Sequence, residues 1–295
     1  MIEKRTKQNY FLLVVLFLAV LRGSSYLFIK DVINIYSPFE IVFYRFFLTG
    51  IFLLLVYGKK SSKLTKWEII LGILAGIFLF SAFGFQTYGL KYTTVSKQSF
   101  FTSLYIVIIP LLDFIFFKKK IASNLIIFFL LILVGLFLIS FKSILNFELS
   151  FNYGDLLTIF CAFGFALNIL LMSKIDKFDV NVINLTIVQM LVIGVLSFVF
   201  QFMFVGKMVS GLSFNFSLFY LVFVCTMLNF LLQNISQRYV SAHIMGLILS
   251  TEAIFGTIFA VIFLKELLTL NFIIGTILIT VGVVFIQYFD KKNRN

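Results

Sequence analysis

A chain of 295 residues with 61% apolar residues, 12% charged residues and 42 phenylalanines is not a soluble domain. Soluble chains average about a quarter charged residues, and no core of this size hides so much apolar surface. The net charge of +12 sits in short clusters between apolar runs, such as Lys59-Lys60, Lys118-Lys119-Lys120 and Lys291-Lys292, which is the pattern of membrane loops rather than of a nucleic-acid-binding face.

The first apolar run, Tyr10–Ile29, follows Lys4, Arg5 and Lys7. It is too long for a signal-peptide core and has no small-x-small cleavage site, so it reads as a retained span. Nine further runs of about 20 residues, the length that crosses a bilayer, follow in order. With the first, the predicted spans are roughly 10–29, 38–57, 68–90, 95–117, 122–141, 153–172, 181–205, 215–236, 242–264 and 269–289. The connections are short, which leaves no room for an inserted soluble domain. Cys161 and Cys225 fall in separate spans without metal-ligand spacing, so neither a disulfide nor a metal site is expected.

Ten spans place both termini on one side. Sixteen of the 24 Lys and Arg residues then fall on that side and six on the other, with Arg22 and Arg45 inside spans. The positive-inside rule therefore predicts cytoplasmic termini in a multi-pass cell-membrane protein.

Sliding the chain on itself by 147 residues aligns Phe83–Ile139 with Phe230–Ile286 without a gap. Fifteen of 57 positions are identical, where this composition gives roughly five by chance. The polar coincidences carry the argument: Gln86/Gln233, Tyr92/Tyr239, Ser103/Ser250, Lys118/Lys265 and Asn124/Asn271, with Gly135/Gly282 beside them. Each repeat holds five spans, an odd number, so the second copy must be inverted in the membrane. The predicted fold is all-α, with ten transmembrane helices as two inverted five-helix repeats, residues 1–148 and 149–295. Inverted repeats are a transporter signature, because two similar halves that exchange conformations open one central site to alternate sides.

The sequence resembles the EamA-type members of the drug/metabolite transporter superfamily over essentially its whole length. The resemblance rests on Gly23-Ser24-Ser25-Tyr26, Tyr44-Arg45-Phe46, Tyr92-Thr93-Thr94, Leu104-Tyr105 with Pro110, and Gly154-Asp155. It continues through Gln237-Arg238-Tyr239 to Glu252 and Leu264-Lys265-Glu266. It implies spans 1–4 and 6–9 around a central cavity, spans 5 and 10 at the periphery, and movement of small metabolites, amino acids or drugs, often outward. Two positions depart from the family pattern. Arg22 stands where tryptophan is usual, which bears on the charge of the substrate. Ala253 stands where proline is frequent, which predicts a straighter span 9.

A charged residue at the bilayer centre costs about 2.5–3.5 kcal/mol on insertion scales, so Arg22, Arg45 and Glu252 should face the bundle interior, paired or wetted. By helical rise Arg22 and Arg45 sit slightly outward of the midplane and Glu252 near it. The predicted substrate-binding residues are Arg22, Arg45, Gln86, Tyr105, Gln233 and Glu252. The arginines suit a carboxylate or phosphate, and Glu252 suits an amine or a proton. The competing reading makes Glu252 a plain helix-helix tie to one arginine. Tyr105 is the repeat mate of Glu252, and Gln86 and Gln233 are mates of each other. Ser96, Ser99 and Ser103 share one helix face, and Gly72 and Gly76 form a small-residue pair; both groups read as helix contacts. Asp113 is read as a salt link to Lys118-Lys119-Lys120, Asp155 and Glu266 as end caps, and His243 as an interfacial residue.

No catalytic constellation, Gly-rich phosphate loop or ligand cluster appears, so neither an enzyme nor a cofactor is expected. A channel would use rings of like charge from several subunits. The reading is a secondary carrier, an exporter of small metabolites leaning to amino acids or other zwitterions, with protons as the coupling ion considered. The alternative is an exporter of lipophilic or cationic drugs. Oligomeric state has no signal in the sequence.

Overall fold

The computed structural model describes residues 2–58, 64–118, 126–139, 141–143, 148–211 and 215–294. The predicted residues Lys59, Lys60, Lys119, Lys120 and Asn124 and the start of the fifth span lie outside them.

The first repeat contributes α1 (Ile2–Val32), α2 (Pro38–Tyr57), α3 (Lys66–Gly89), α4 (Val95–Thr102), α5 (Tyr105–Phe117) and α6 (Ile126–Ile139). A short antiparallel pair, β1 (Phe141–Ser143) and β2 (Glu148–Leu149), links it to the second repeat. There follow α7 (Tyr153–Met172), α8 (Val182–Val205), α9 (Phe216–Val222), α10 (Asn229–Ser236), α11 (Ala242–Leu249), α12 (Glu252–Leu264) and α13 (Leu270–Arg294). Eight segments are long and apolar enough to cross a membrane: α1 from Tyr10, α2, α3, α4 with α5, α7, α8, α9 with α10, and α11 with α12. The shorter apolar stretches of α6 and α13 stand where the fifth and tenth spans are predicted.

Helix starts are chemically marked. Ser37 with Glu40, Thr65 with Glu68, and Asn152 with Asp155 each close a capping box, and Pro38 opens α2, so two backbone N–H groups at each of these helix starts are satisfied by side chains. The repeat is visible in the helix ends. Lys118 and Lys265, mates 147 residues apart, close α5 and α12 with φ of 54° and 55°, a left-handed conformation uncommon outside glycine.

The same symmetry appears in two broken spans. Span 4 breaks at Ser103-Leu104, and its mate, span 9, breaks at Ser250-Thr251. Span 9, expected to be straighter with Ala253 in place of proline, is nevertheless interrupted. The break comes three residues earlier, where Ala253 and Ile254 bond back only three residues, to the Ser250 and Thr251 carbonyls. The two breaks touch: Ser103 Oγ donates to the Ser250 carbonyl at 3.1 Å and Ser99 Oγ to the Ala253 carbonyl at 3.3 Å. Two of the three serines on that face thus tie α4 to α12. The third, Ser96, donates to Glu266.

Helices pair across the pseudo-two-fold. α2 lies on α8, α6 on α13, and α4 on α12, while α3 packs on α7 and α8 and α1 on α9, α10 and α12. Large apolar side chains such as Leu13, Leu55, Ile115 and Ile262 are exposed, whereas Arg45, Gln86, Gln189 and Glu252 are buried. The outside is greasy, and these charged and amide side chains lie within an otherwise largely apolar interior, as a lipid-solvated bundle requires. Gly72 and Gly76 let α3 approach Val188 and Val192 of α8. At the crossing of α1 and α12, a methyl group on Gly23 would lie 2.7 Å from Phe255 Cβ and 2.9 Å from the Gly256 nitrogen.

Gly23→Val is expected to destabilise the protein by about 1–3 kcal/mol through overpacking, lowering the melting temperature in detergent. Gly211→Ala, at a position with nothing within 4 Å, should leave it unchanged.

Candidate functional site

The close approach at Gly23 brings Arg22 of α1 against the start of α12. Glu252 is the first residue after the span 9 break, so its carboxylate stands at the N-terminus of a half-helix, where the backbone dipole favours negative charge. Arg22 Nη1 lies 3.6 Å from Glu252 Oε2. The other guanidinium nitrogens are held by span 8: Nη2 donates to Gln233 Oε1 at 2.8 Å and Nε to Asn229 Oδ1 at 3.3 Å. Phe165 and Phe230 face the same guanidinium at 5.3 and 5.5 Å, within the range of cation–π attraction. Both Arg22 and Glu252 are buried.

Arg45 is held differently. Its Nε donates to Thr226 Oγ1 at 3.1 Å, and Phe83 and Phe46 lie 5.0 and 5.6 Å from the guanidinium carbon. It is 1% exposed, and Nη1 has no hydrogen-bond partner among the described residues. Thr226 lies in a π-helical turn, Phe223–Leu228, between α9 and α10. The mate of this turn lies inside the regular helix α3. A π turn re-aims the side chains on and after it, and such turns recur at functional sites. This one presents Thr226 to Arg45, with Asn229 and Gln233 beyond it on Arg22.

Arg22, Arg45 and Glu252 line one cavity with Ser25, Tyr26, Gln86, the phenylalanines Phe83, Phe165 and Phe230, and Cys225. Its free volume is about 10 Å³, room for a single water. Gln86 donates to Tyr26 Oη at 3.2 Å. Of the six predicted residues, four line the cavity. Gln233 reaches it through Arg22, and Tyr105 stands behind Phe165, 6.1 Å between ring centroids. The Tyr105 hydroxyl and Glu252 Oε1 are buried and have no hydrogen-bond partner among the described residues. Sequence reading did not single out Thr226 and Asn229, which orient the arginines, or the aromatic faces of Phe83, Phe165 and Phe230. Thr226 and Asn229 are polar residues within a span, a signal that was present.

The remaining carboxylates work at helix ends. Asp155 accepts from Lys97 at 3.1 Å and from Thr93, and Glu266 accepts the backbone N–H groups of Val95 and Ser96. Asp113 is bonded to His243 Nε2 at 2.8 Å, and two of the three lysines it is expected to meet, Lys119 and Lys120, lie outside the described residues.

The profile of the EamA-like transporter family matches residues 9–141 and again residues 152–288. The chain belongs to the EamA-like transporter family. An "Uncharacterized transporter" of Archaeoglobus fulgidus is 30% identical over 269 residues, which are 91% of this chain and 83% of that protein. A solved structure described only as "Crystal structure of protein" superposes with a TM-score of 0.69 at 14% identity, over 96% of this chain and 98% of its own; that likeness concerns the fold alone. This EamA-family chain is a multi-pass membrane transporter of the drug/metabolite superfamily, handling a small-molecule substrate in a lipid environment, and not an enzyme.

Removing one partner of a buried ion pair leaves an uncompensated charge, which costs about 3–5 kcal/mol, whereas replacing both with apolar groups is often close to neutral. Arg22→Met is therefore expected to destabilise the transporter strongly, and Arg22→Met with Glu252→Leu to recover much of the loss in thermal unfolding.

Proposed function

We propose that this transporter is a secondary carrier that exports amino acids or similar zwitterions by alternating access, through ten spans arranged as inverted repeats 1–148 and 149–295, with cytoplasmic termini in the cell membrane. The observation that carries the reading is the pair of unpartnered atoms of opposite charge on one buried cavity, Arg45 Nη1 and Glu252 Oε1. A solute carboxylate takes the Arg45 donor and its ammonium takes the Glu252 acceptor, while Arg22 holds Glu252 in place. Gln86, Gln233 and Tyr105 complete the polar surround. The cavity admits only a water, so a solute must enter through separation of the helices, and the touching half-helices α4 and α12 are where the two repeats part.

The same geometry disfavours the cationic-drug reading. Arg22 and Glu252 offset each other, which leaves Arg45 as a positive charge facing any cation. Protons are the coupling ion in this proposal, with Glu252 as the carrier.

The test is thermal stabilisation of the purified protein across amino acids, amines, organic acids and lipophilic cations, since ligand binding to the folded state raises stability. Amino acids should stabilise it. Arg45→Ala should weaken that binding about 10- to 100-fold, the worth of one charge-assisted hydrogen bond, and Glu252→Gln should flatten the pH dependence of transport. Stabilisation by cations alone, or binding indifferent to both residues, would return the site to a structural role.

A further inference from the structure

Outside the charged centre, the described residues hold two concentrations of buried, uncharged polar groups that helix packing does not explain. The first lies towards the face on which α1 begins. Asn234 of α10 donates to Thr186 Oγ1 and Gln189 Oε1 of α8, both at 2.9 Å. Three residues on, and so on the same helix face, Gln237 donates to the Ile169 carbonyl of α7 at 3.2 Å. Asn168, next to Ile169, donates to the Ala75 carbonyl of α3 at 3.3 Å. All four amides are at most 4% exposed. Each keeps one polar atom without a partner among the described residues: Asn234 Oδ1, Gln189 Nε2, Gln237 Oε1 and Asn168 Oδ1.

The second concentration lies towards the opposite face. The repeat operation carries Asn234 onto Thr87, near the far end of α3. Thr87 Oγ1 is buried and unpartnered, as is Gln98 Oε1 of α4, whose amide nitrogen donates to the neighbouring Gln86 carbonyl at 2.5 Å. The two sets flank the Arg22–Glu252 pair on opposite sides.

A buried polar atom left without a partner costs about 1–3 kcal/mol. Six such atoms in two groups, linked by the single repeat pair Asn234/Thr87, are a large burden for a fold whose net stability is about 5–15 kcal/mol. Leucine or valine would remove it. The groups make physical sense where water reaches them in another conformation. No charged side chain is bonded to these amides among the described residues. An ion would meet no counter-charge there, whereas water, hydroxyl and amide groups meet both donors and acceptors.

We propose that the two sets are the uncharged, hydrated ends of the translocation path. Gln189 and Asn234 would serve water and the neutral polar groups of the solute on one side, and Thr87 and Gln98 would serve them on the other, each end wetted when its own side opens. This rests on the alternating-access reading above but not on the identity of the solute.

The experiment is thiol labelling in sealed proteoliposomes. In a Cys161→Ser, Cys225→Ser background, Asn234→Cys and Thr87→Cys are exposed to a membrane-impermeant, charged methanethiosulfonate added from one side at a time. Asn234→Cys should react from the side of the α1 start and Thr87→Cys from the other. Each should react about tenfold or more faster than Ile193→Cys, a buried apolar control, because the reactive thiolate forms only in water. Gln189→Cys and Gln98→Cys are the second pair should either first variant not fold. Rates no higher than the control at both positions, or labelling of both from the same side, would overturn the proposal and make the amides packing ties. Labelling needs no solute, so opposite-side reactivity without amino-acid stabilisation would sink the zwitterion reading alone.

Discussion

Burying a guanidinium in hydrocarbon obliges the protein to provide a counter-charge and a full set of acceptors, and the centre of this molecule is arranged around meeting that demand for Arg22. Glu252 supplies the charge, and Gln233 and Asn229 supply the acceptors. The geometry requires α1 to lie against α12 more closely than a side chain at residue 23 would allow, so the glycine there is part of the electrostatics. It also requires span 9 to restart at residue 252, which places the carboxylate at a half-helix N-terminus. Span 8 must turn its amides inward, and the π turn just before Asn229 does so.

The pseudo-two-fold is kept in the scaffold and broken in the chemistry. Helix breaks, left-handed lysine caps and the α6–α13 pairing repeat in both halves. At the centre, however, Tyr105 is the repeat mate of Glu252, and the stretch of α3 equivalent to the π turn of span 8 is regular helix. Asymmetric side chains give a single site with a definite arrangement of charge. Arg45, buried and partly unpartnered, is the residue most out of balance in this arrangement.

Much of this was legible in the sequence because lipid imposes strict rules. Span positions follow from apolar length and charge clusters. The inward placement of Arg22, Arg45 and Glu252 follows from the cost of exposing charge to lipid. Their meeting on one cavity was predicted from depth alone, and Gln86 and Gln233 were found through the repeat. What was hidden has local causes. The span 9 break comes from i→i+3 bonding at Ser250-Thr251 without proline or glycine, so composition gives no sign of it. The π turn in Phe223–Leu228 is built from ordinary helix residues. The bond of Asp113 to His243 depends on how α5 and α11 pack, which residue spacing does not reveal. The four phenylalanines around the arginines could not be told apart from the 38 others by pattern.

The central claim is that Arg45 and Glu252 together hold the carboxylate and ammonium of one solute. Counterflow of a labelled neutral amino acid into proteoliposomes preloaded with the same unlabelled solute tests this most directly. The account predicts transient accumulation by the parent protein, abolished in Arg45→Ala and in Glu252→Ala at equal amounts of folded protein. Accumulation that survives either substitution, or that occurs only with solutes lacking a carboxylate, would contradict it.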